Sequence, residues 1–359
     1  MKILVVEDEY HLGDAIRETL ERDGYNVSLI GNGKVGYLEA VNNSYDLIIL
    51  DIMLPEMDGF TILKKLREAS VTSNISDSTI TTTKDNSGGI MTTGGGNMNA
   101  SNLTVTTSGV SSAVIRTDRG GGNVTVDGGT YTTSGSGSPS IYSTANINIK
   151  NAKLVSNTSE GIVIEGKNSV TIENTTLTDT NDKLNGKSTT YKNIFLYQSM
   201  SGDASTGVSV FTAKNSKITT NKGDTFYVTN TNSEINLENN TIVNNDSTGN
   251  FLRVQKDSWG TSGSNGCDVT LKFTNQTASG SIVVDEISSL TFNLTSNSLF
   301  TGAINSSNKA KAITLKLDKS SKIKLTGDTY VTTLENEDAS NSNIDFNGYH
   351  LYVNKKAIN

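Results

Sequence analysis

The chain is poor in the residues that carry most enzyme chemistry. Its 359 residues include one cysteine, Cys267, and two histidines, His11 and His350. A single cysteine excludes an intramolecular disulfide framework and any cysteine-based zinc site. Two histidines argue against a Ser-His-Asp triad or a multi-histidine metal centre. Prolines are limited to Pro55 and Pro139, and Trp259 is the only tryptophan. No run of 18 apolar residues occurs, so no membrane-spanning helix is expected. No basic stripe is present to neutralise a phosphate backbone, which leaves nucleic-acid binding without support. Apolar residues make up 34% of the chain. With many Ser, Thr and Asn, that figure would ordinarily point to disorder. The apolar residues recur at regular spacing, however, and are mostly β-branched, so a repetitive β-structure is the expectation.

What is present changes character near residue 70. Residues 1–69 hold 7 Lys/Arg against 13 Asp/Glu, whereas the remainder holds 23 against 24. The first segment opens with KILVV, a continuous apolar run of the kind buried on both faces of a parallel sheet. Leu12, Ala15, Ile16 and Leu20 then recur at helical spacing up to Gly24. A second strand around Val27–Ile30 and a second helix at 35–41 follow. DLIIL at 46–50 is a third buried strand, and a helix runs from 60 to about 69. This is β-α-β-α-β-α, the first half of a doubly wound α/β fold. Glu7 and Asp8 end its first strand and Asp51 ends its third. Those strands are neighbours in such a sheet, so three carboxylates converge at one edge and offer the oxygen ligands that Mg²⁺ requires.

The segments VVEDE, LIILDIMLPEMDG and ILKKLRE resemble a response-regulator receiver domain, CheY-like in fold. The resemblance implies that Asp51 accepts a phosphoryl group from a histidine kinase. It further implies that Glu7, Asp8, Asp51 and the backbone carbonyl of Met53 hold Mg²⁺. A receiver continues with two more strands that supply a switch Ser/Thr and a Lys. Residues 79–85 (TITTTKD) only echo the first of these, and no lysine lies between Lys84 and Lys150. Residues 1–69 therefore read as a truncated receiver-like fragment, whose open sheet edge the first solenoid coil could cover, making the fragment an N-terminal cap.

From Ile75 onward a unit recurs about every 23 residues: an apolar residue, a turn containing Asn or Gly, and another apolar residue. Examples are ISDSTI (75–80), IKNAKL (149–154), IENTTL (172–177), AKNSKI (213–218) and LENNTI (237–242). Another strand precedes each unit, such as GIVIE at 161–165. Three short strands per period with Asn or Gly at fixed turns predict a parallel β-helix over residues 70–359. About eleven coils at about 4.8 Å each would form a rod about 50 Å long. Asn151, Asn174, Asn215, Asn239 and Asn275 share one turn position. There Asn tolerates left-handed backbone, and its amides can bond from coil to coil. The repeat is similar to those of pectin-lyase-like right-handed β-helices and bacterial adhesin-like surface proteins. That resemblance does not fix function.

Enzymes of that architecture act on polysaccharides through paired carboxylates or a Ca²⁺ acid cluster with a basic partner. Here Asp224, Asp246, Asp257, Asp268 and Asp285 are scattered. Arg253 with Asp257 is the best pairing and reads as a surface ion pair. Insertions at 182–192, 198–207 and 255–268 interrupt the coils. The last two follow the same strand type and should emerge on one side. Tyr191 and Trp259, in the first and third insertions, are the candidate glycan-stacking residues; a Trp that merely packs its own loop is the plain alternative.

The reading is thus mainly β: a non-enzymatic adhesin-like solenoid binding polysaccharide or cell-surface glycan, joined to a receiver-like fragment. Its alternatives are phosphorelay through Asp51 with a histidine kinase as partner, or a polysaccharide lyase or hydrolase. The N-terminus as written lacks the apolar core and cleavage site of a signal peptide. That implies a cytoplasmic location, whereas solenoids of this type are usually extracellular or on the cell surface.

Overall fold

A computed structural model describes residues 1–68 and 72–359. The expected boundary at 69/70, and Ala69 at the end of the third helix, lie outside the described residues. The N-terminal region comprises β1 (Lys2–Val6), α1 (Tyr10–Arg22), β2 (Asn26–Ile30), α2 (Gly33–Asn42), β3 (Leu47–Leu50) and α3 (Gly59–Glu68). Its sheet is parallel in the order β2-β1-β3, so β1 and β3 are neighbours as their acid-terminated sequences require. Ile3, Leu4, Val5 and Val6 are all buried on this central strand, and Ile62 and Leu66 of α3 complete a small core. Capping fixes the helix starts. The Glu9 carboxylate accepts from the backbone N–H groups of His11 and Leu12, and the Asn32 side chain accepts from that of Val35.

The rest is a parallel β-solenoid. Sheet I holds eleven strands, from Thr72–Ser76 to Thr333–Asn336. Sheet II stacks seven strands, from Thr79–Thr82 to Thr241–Asn244, and four more take over from Thr277–Ser279. Sheet III stacks eight, from Ile90–Thr92 to Ile282–Val284. Sheet I thus has the expected eleven strands, while the solenoid as a whole runs to about 14 turns. Within a column the register is strict: Ile75, Ala100, Val126, Ile149, Ile172, Ala213, Leu237 and Phe273 follow one another inward. One contiguous core results. Toward the C-terminal end it fills with rings, where Phe273 lies 4.9 Å from Phe292 and 5.8 Å from Phe251 between centroids.

The shared asparagine turn is left-handed throughout, with φ of 54° at Asn151, 49° at Asn174, 50° at Asn215, 52° at Asn239 and 48° at Asn275. Amides bond between coils: Asn239 Nδ2 donates to Asn215 Oδ1 at 2.8 Å, and Asn151 Nδ2 to Asp127 Oδ1 at 2.7 Å. Residues 79–82, the echo of a fourth receiver strand, belong to sheet II and pair with Thr104–Thr107.

The first coil faces the open β3 edge without pairing to it. Among the described residues, strand Thr72–Ser76 pairs with Gly96–Ser101 in sheet I and not with β3. Between the two regions lies a cleft of about 470 Å³ lined by Leu47, Ile48, Leu63, Ile75 and Met98 among others. No helix among the described residues is long and apolar enough to cross a membrane.

Candidate functional site

Two places gather chemistry. The first is the acidic edge of the N-terminal sheet. The Asp51 N–H donates to the Val6 carbonyl at 2.9 Å and the Glu7 N–H to the Ile30 carbonyl at 3.0 Å, which brings the three strand ends together. One carboxylate oxygen each from Glu7, Asp8 and Asp51 lies within 4.8 Å of the others. The Met53 N–H donates to Asp51 Oδ2 at 3.1 Å, and the Met53 side chain is 82% exposed. Gly59 is required here because a Cβ would come within 2.1 Å of the Asp51 carbonyl; α3 could not then start against this loop. Three close oxygens of hard-ligand type suit Mg²⁺.

The second place is the outer face of sheet III. Strands Ile162–Glu165, Lys192–Tyr197 and Asp224–Thr229 are buried on both faces, where simple alternation predicts one wet side. The three insertions fold over this face and cover it. Tyr142, Val163, Phe195 and Tyr227 form one outward column. Phe195 stacks on Tyr227 at 5.6 Å, and Trp259 from the third insertion lies 5.3 Å from Phe195 and 5.4 Å from Tyr197.

Two carboxylates, one buried and one half-buried, hold the insertions down. Glu165 is fully buried. Its Oε2 accepts from the Tyr142 hydroxyl at 2.5 Å and the Tyr197 hydroxyl at 3.3 Å, and its Oε1 from the Ser199 hydroxyl and the Ser199 N–H. This anchors the 198–207 loop. Asp257 accepts from the Tyr227 hydroxyl at 2.6 Å and from the Thr189 hydroxyl at 3.0 Å, tying the third insertion to the sheet and to the first insertion. Burial raises all three tyrosine hydroxyls well above their ordinary range, so they remain protonated donors.

Lys192 is fully buried, with its ammonium 3.5 Å from Glu160 and 4.4 Å from the Phe195 ring. It donates to the Ser188 hydroxyl and the Thr190 carbonyl. Burial lowers its pKa, and Glu160 opposes that shift. Asp179, also buried, is pushed well above the usual carboxylate range by burial and then by Glu160. Between Tyr142, Glu160, Asn185, Ser188, Phe195 and Trp259 remains a cleft of about 80 Å³. Gly137, at φ 60°, lines it. A Cβ there would lie 2.5 Å from Asn185 Nδ2, so glycine is what lets the first insertion close over the rim.

Several sequence expectations change. Arg253 does not pair with Asp257; its Nε donates to buried Asp224, because the outward columns set Arg253 beside the preceding coil. Tyr191 does not join Trp259: its ring lies 4.1 Å from the Lys222 ammonium, outside the cleft lining. Trp259 packs its loop on the sheet and also lines the cleft. Glu160, Glu165, Asp179 and Lys192 were missed, since 19 or more residues separate the members that meet from different coils. The one available signal was KNIFLY, a strand apolar on both faces and so one that demands cover.

The fold and sites define a receiver-type region running into a parallel β-solenoid. Residues 3–94 match the family model of the response regulator receiver domain. The match extends through strands Thr72–Ser76, Thr79–Thr82 and Ile90–Thr92, which belong to the solenoid. The N-terminus is 47% identical over 70 residues to the transcriptional regulatory protein CusR of Escherichia coli K12, covering 20% of this chain and 31% of that protein. It is 44% identical over 71 residues to the response regulator ArlR of Staphylococcus saprophyticus, covering 20% and 32% respectively. Against the transcriptional regulatory protein RprY of Bacteroides fragilis, the figures are 39% over 70 residues, 20% and 30%. The chain thus spans under a third of the length of these curated relatives.

Proposed function

We propose that the chain is a non-enzymatic, adhesin-like β-solenoid that binds a polysaccharide or cell-surface glycan in the cleft on the outer face of sheet III. The observation that carries this reading is the convergence of three insertions on one sheet face, fixed by buried Glu165 and half-buried Asp257, with the first and third of them lining an aromatic-walled cleft. Rigid aromatic rings beside polar groups suit the apolar face and hydroxyl edge of a sugar. A non-enzymatic role is supported by the lining, in which Glu160 is the one carboxylate. Glycoside hydrolysis calls for two, about 5–9.5 Å apart across the scissile bond. Retention on insoluble polysaccharides tests the reading. Wild type is retained and Trp259→Ala is not; equal retention of both would sink it.

A second reading, phosphorelay through Asp51, is favoured by the Glu7, Asp8 and Asp51 cluster and by the N-terminal relatives. In that reading Glu7, Asp8 and Asp51 would hold Mg²⁺, with the Met53 carbonyl beside them. The ion would offset carboxylate charge and polarise phosphoryl oxygens. A histidine kinase would be the partner. Acetyl phosphate with Mg²⁺ should then give an acid-stable, hydroxylamine-labile label that Asp51→Asn abolishes. No label would leave residues 1–68 as a cap.

A further inference from the structure

The cleft on sheet III also carries information about charge. Resting on the glycan reading above, we infer that its ligand is an uncharged pyranose, bound through hydroxyls that donate to Glu160, and that acidic sugars are excluded. Glu160 is the only charged side chain in the lining, and it is 6% exposed. Its Oε2 already accepts from the Ser159 hydroxyl at 2.7 Å, and its Oε1 faces Lys192 Nζ at 3.5 Å. The carboxylate is thereby held in one orientation toward the cleft.

The nearest cation cannot serve a ligand carboxylate. Lys192 is fully buried behind the lining, within 4.4 Å of the Phe195 ring, 5.5 Å of the Tyr227 ring and 6.0 Å of the Trp259 ring. Its hydrogens are directed at Ser188, Thr190 and Glu160. Arg253 is engaged by Asp224. Lys183 and Lys187 of the first insertion are exposed and outside the lining. A uronate would therefore place its charge beside Glu160 with no cation in the lining itself, the other nearby cation, Arg116, lying over the Tyr142 ring and bonded to Asp118, and like-charge juxtaposition is unfavourable. A neutral ring instead stacks on Trp259 and presents donors to Glu160, while Asn185 and Ser188 offer both donors and acceptors at the rim.

Trp259 is the only tryptophan, so its fluorescence reports the cleft directly. The full chain is titrated with neutral oligosaccharides (cello-, xylo-, manno- and N-acetylchito-hexaose) and with oligogalacturonate, and calorimetry serves as the second readout. The expected result is saturable binding of at least one neutral oligosaccharide. Oligogalacturonate should bind it about tenfold more weakly or worse. Glu160→Gln should weaken the neutral ligand and narrow that gap. Asn185→Ala, an exposed rim change with little risk to folding, should weaken it as well. Preferential binding of oligogalacturonate by wild type would overturn the charge inference and leave the glycan reading standing. Neutral binding unaffected by either variant would remove the ligand from this cleft. No response to any saccharide by either readout would overturn the glycan reading itself.

Discussion

Replacing the asparagine column at the left-handed turn separates two reasons for its presence. In one variant Asn151, Asn174, Asn215, Asn239 and Asn275 all become Ala; in the other all become Gly. Each site has φ between 48° and 54°. A residue with a Cβ and no locally bonding side chain is disfavoured there by about 1–2 kcal/mol, so five alanines should cost about 5–10 kcal/mol. Glycine adopts the same backbone freely but loosens the unfolded chain by about 0.4–1 kcal/mol per site, or about 2–5 kcal/mol over five. Both variants lose the inter-coil amide bonds, such as Asn239 to Asn215 at 2.8 Å, so that loss cancels between them. Neighbouring coils couple, which makes the ranking a firmer prediction than the sums. Urea unfolding followed by far-UV circular dichroism should place wild type first, the Gly variant second and the Ala variant last. An Ala variant as stable as the Gly variant would refute the reasoning. The amide ladder, rather than left-handed geometry, would then be what selects asparagine.

Two other expectations follow from buried titratable groups. Asp179 has a folded-state pKa above its ordinary 3.8, so the native state binds the extra proton between those two values. Wild-type stability therefore falls as pH rises through that window, and Asp179→Asn removes the loss. Melting temperatures of the two proteins should coincide below pH 3.8 and diverge toward neutrality in favour of the variant; parallel curves would show that Asp179 does not titrate there. Cys267 is buried and its thiol is pushed up to about 12 by that burial. A thiol reagent at neutral pH should leave it unmodified until urea unfolds the solenoid, and rapid labelling of native protein would contradict its placement.

Local chemistry made much of this molecule legible in the sequence. KILVV dictated a buried strand and DLIIL its parallel neighbour, although at the sheet edge Leu47 is exposed and Ile48, Ile49 and Leu50 are only half-buried; their terminal acids dictated a shared carboxylate edge, because neighbouring parallel strands end on the same side. The solenoid was legible for a similar reason. Each coil repeats one pattern of inward apolar residues and left-handed turns, and stacking carries each position onto its equivalent in the next coil. What sequence could not decide was which surface the insertions would cover. An insertion has no periodicity of its own, and its resting place depends on partners several coils away. Only the tertiary structure brought Glu165 to Tyr142 and Ser199, Asp257 to Tyr227 and Thr189, and Lys192 to Glu160. It also parted Tyr191 from Trp259 and moved Arg253 from Asp257 to Asp224. The repeat therefore determined the scaffold, being encoded within each coil, while the cleft was decided by packing between coils, where residues distant in sequence exclude water together.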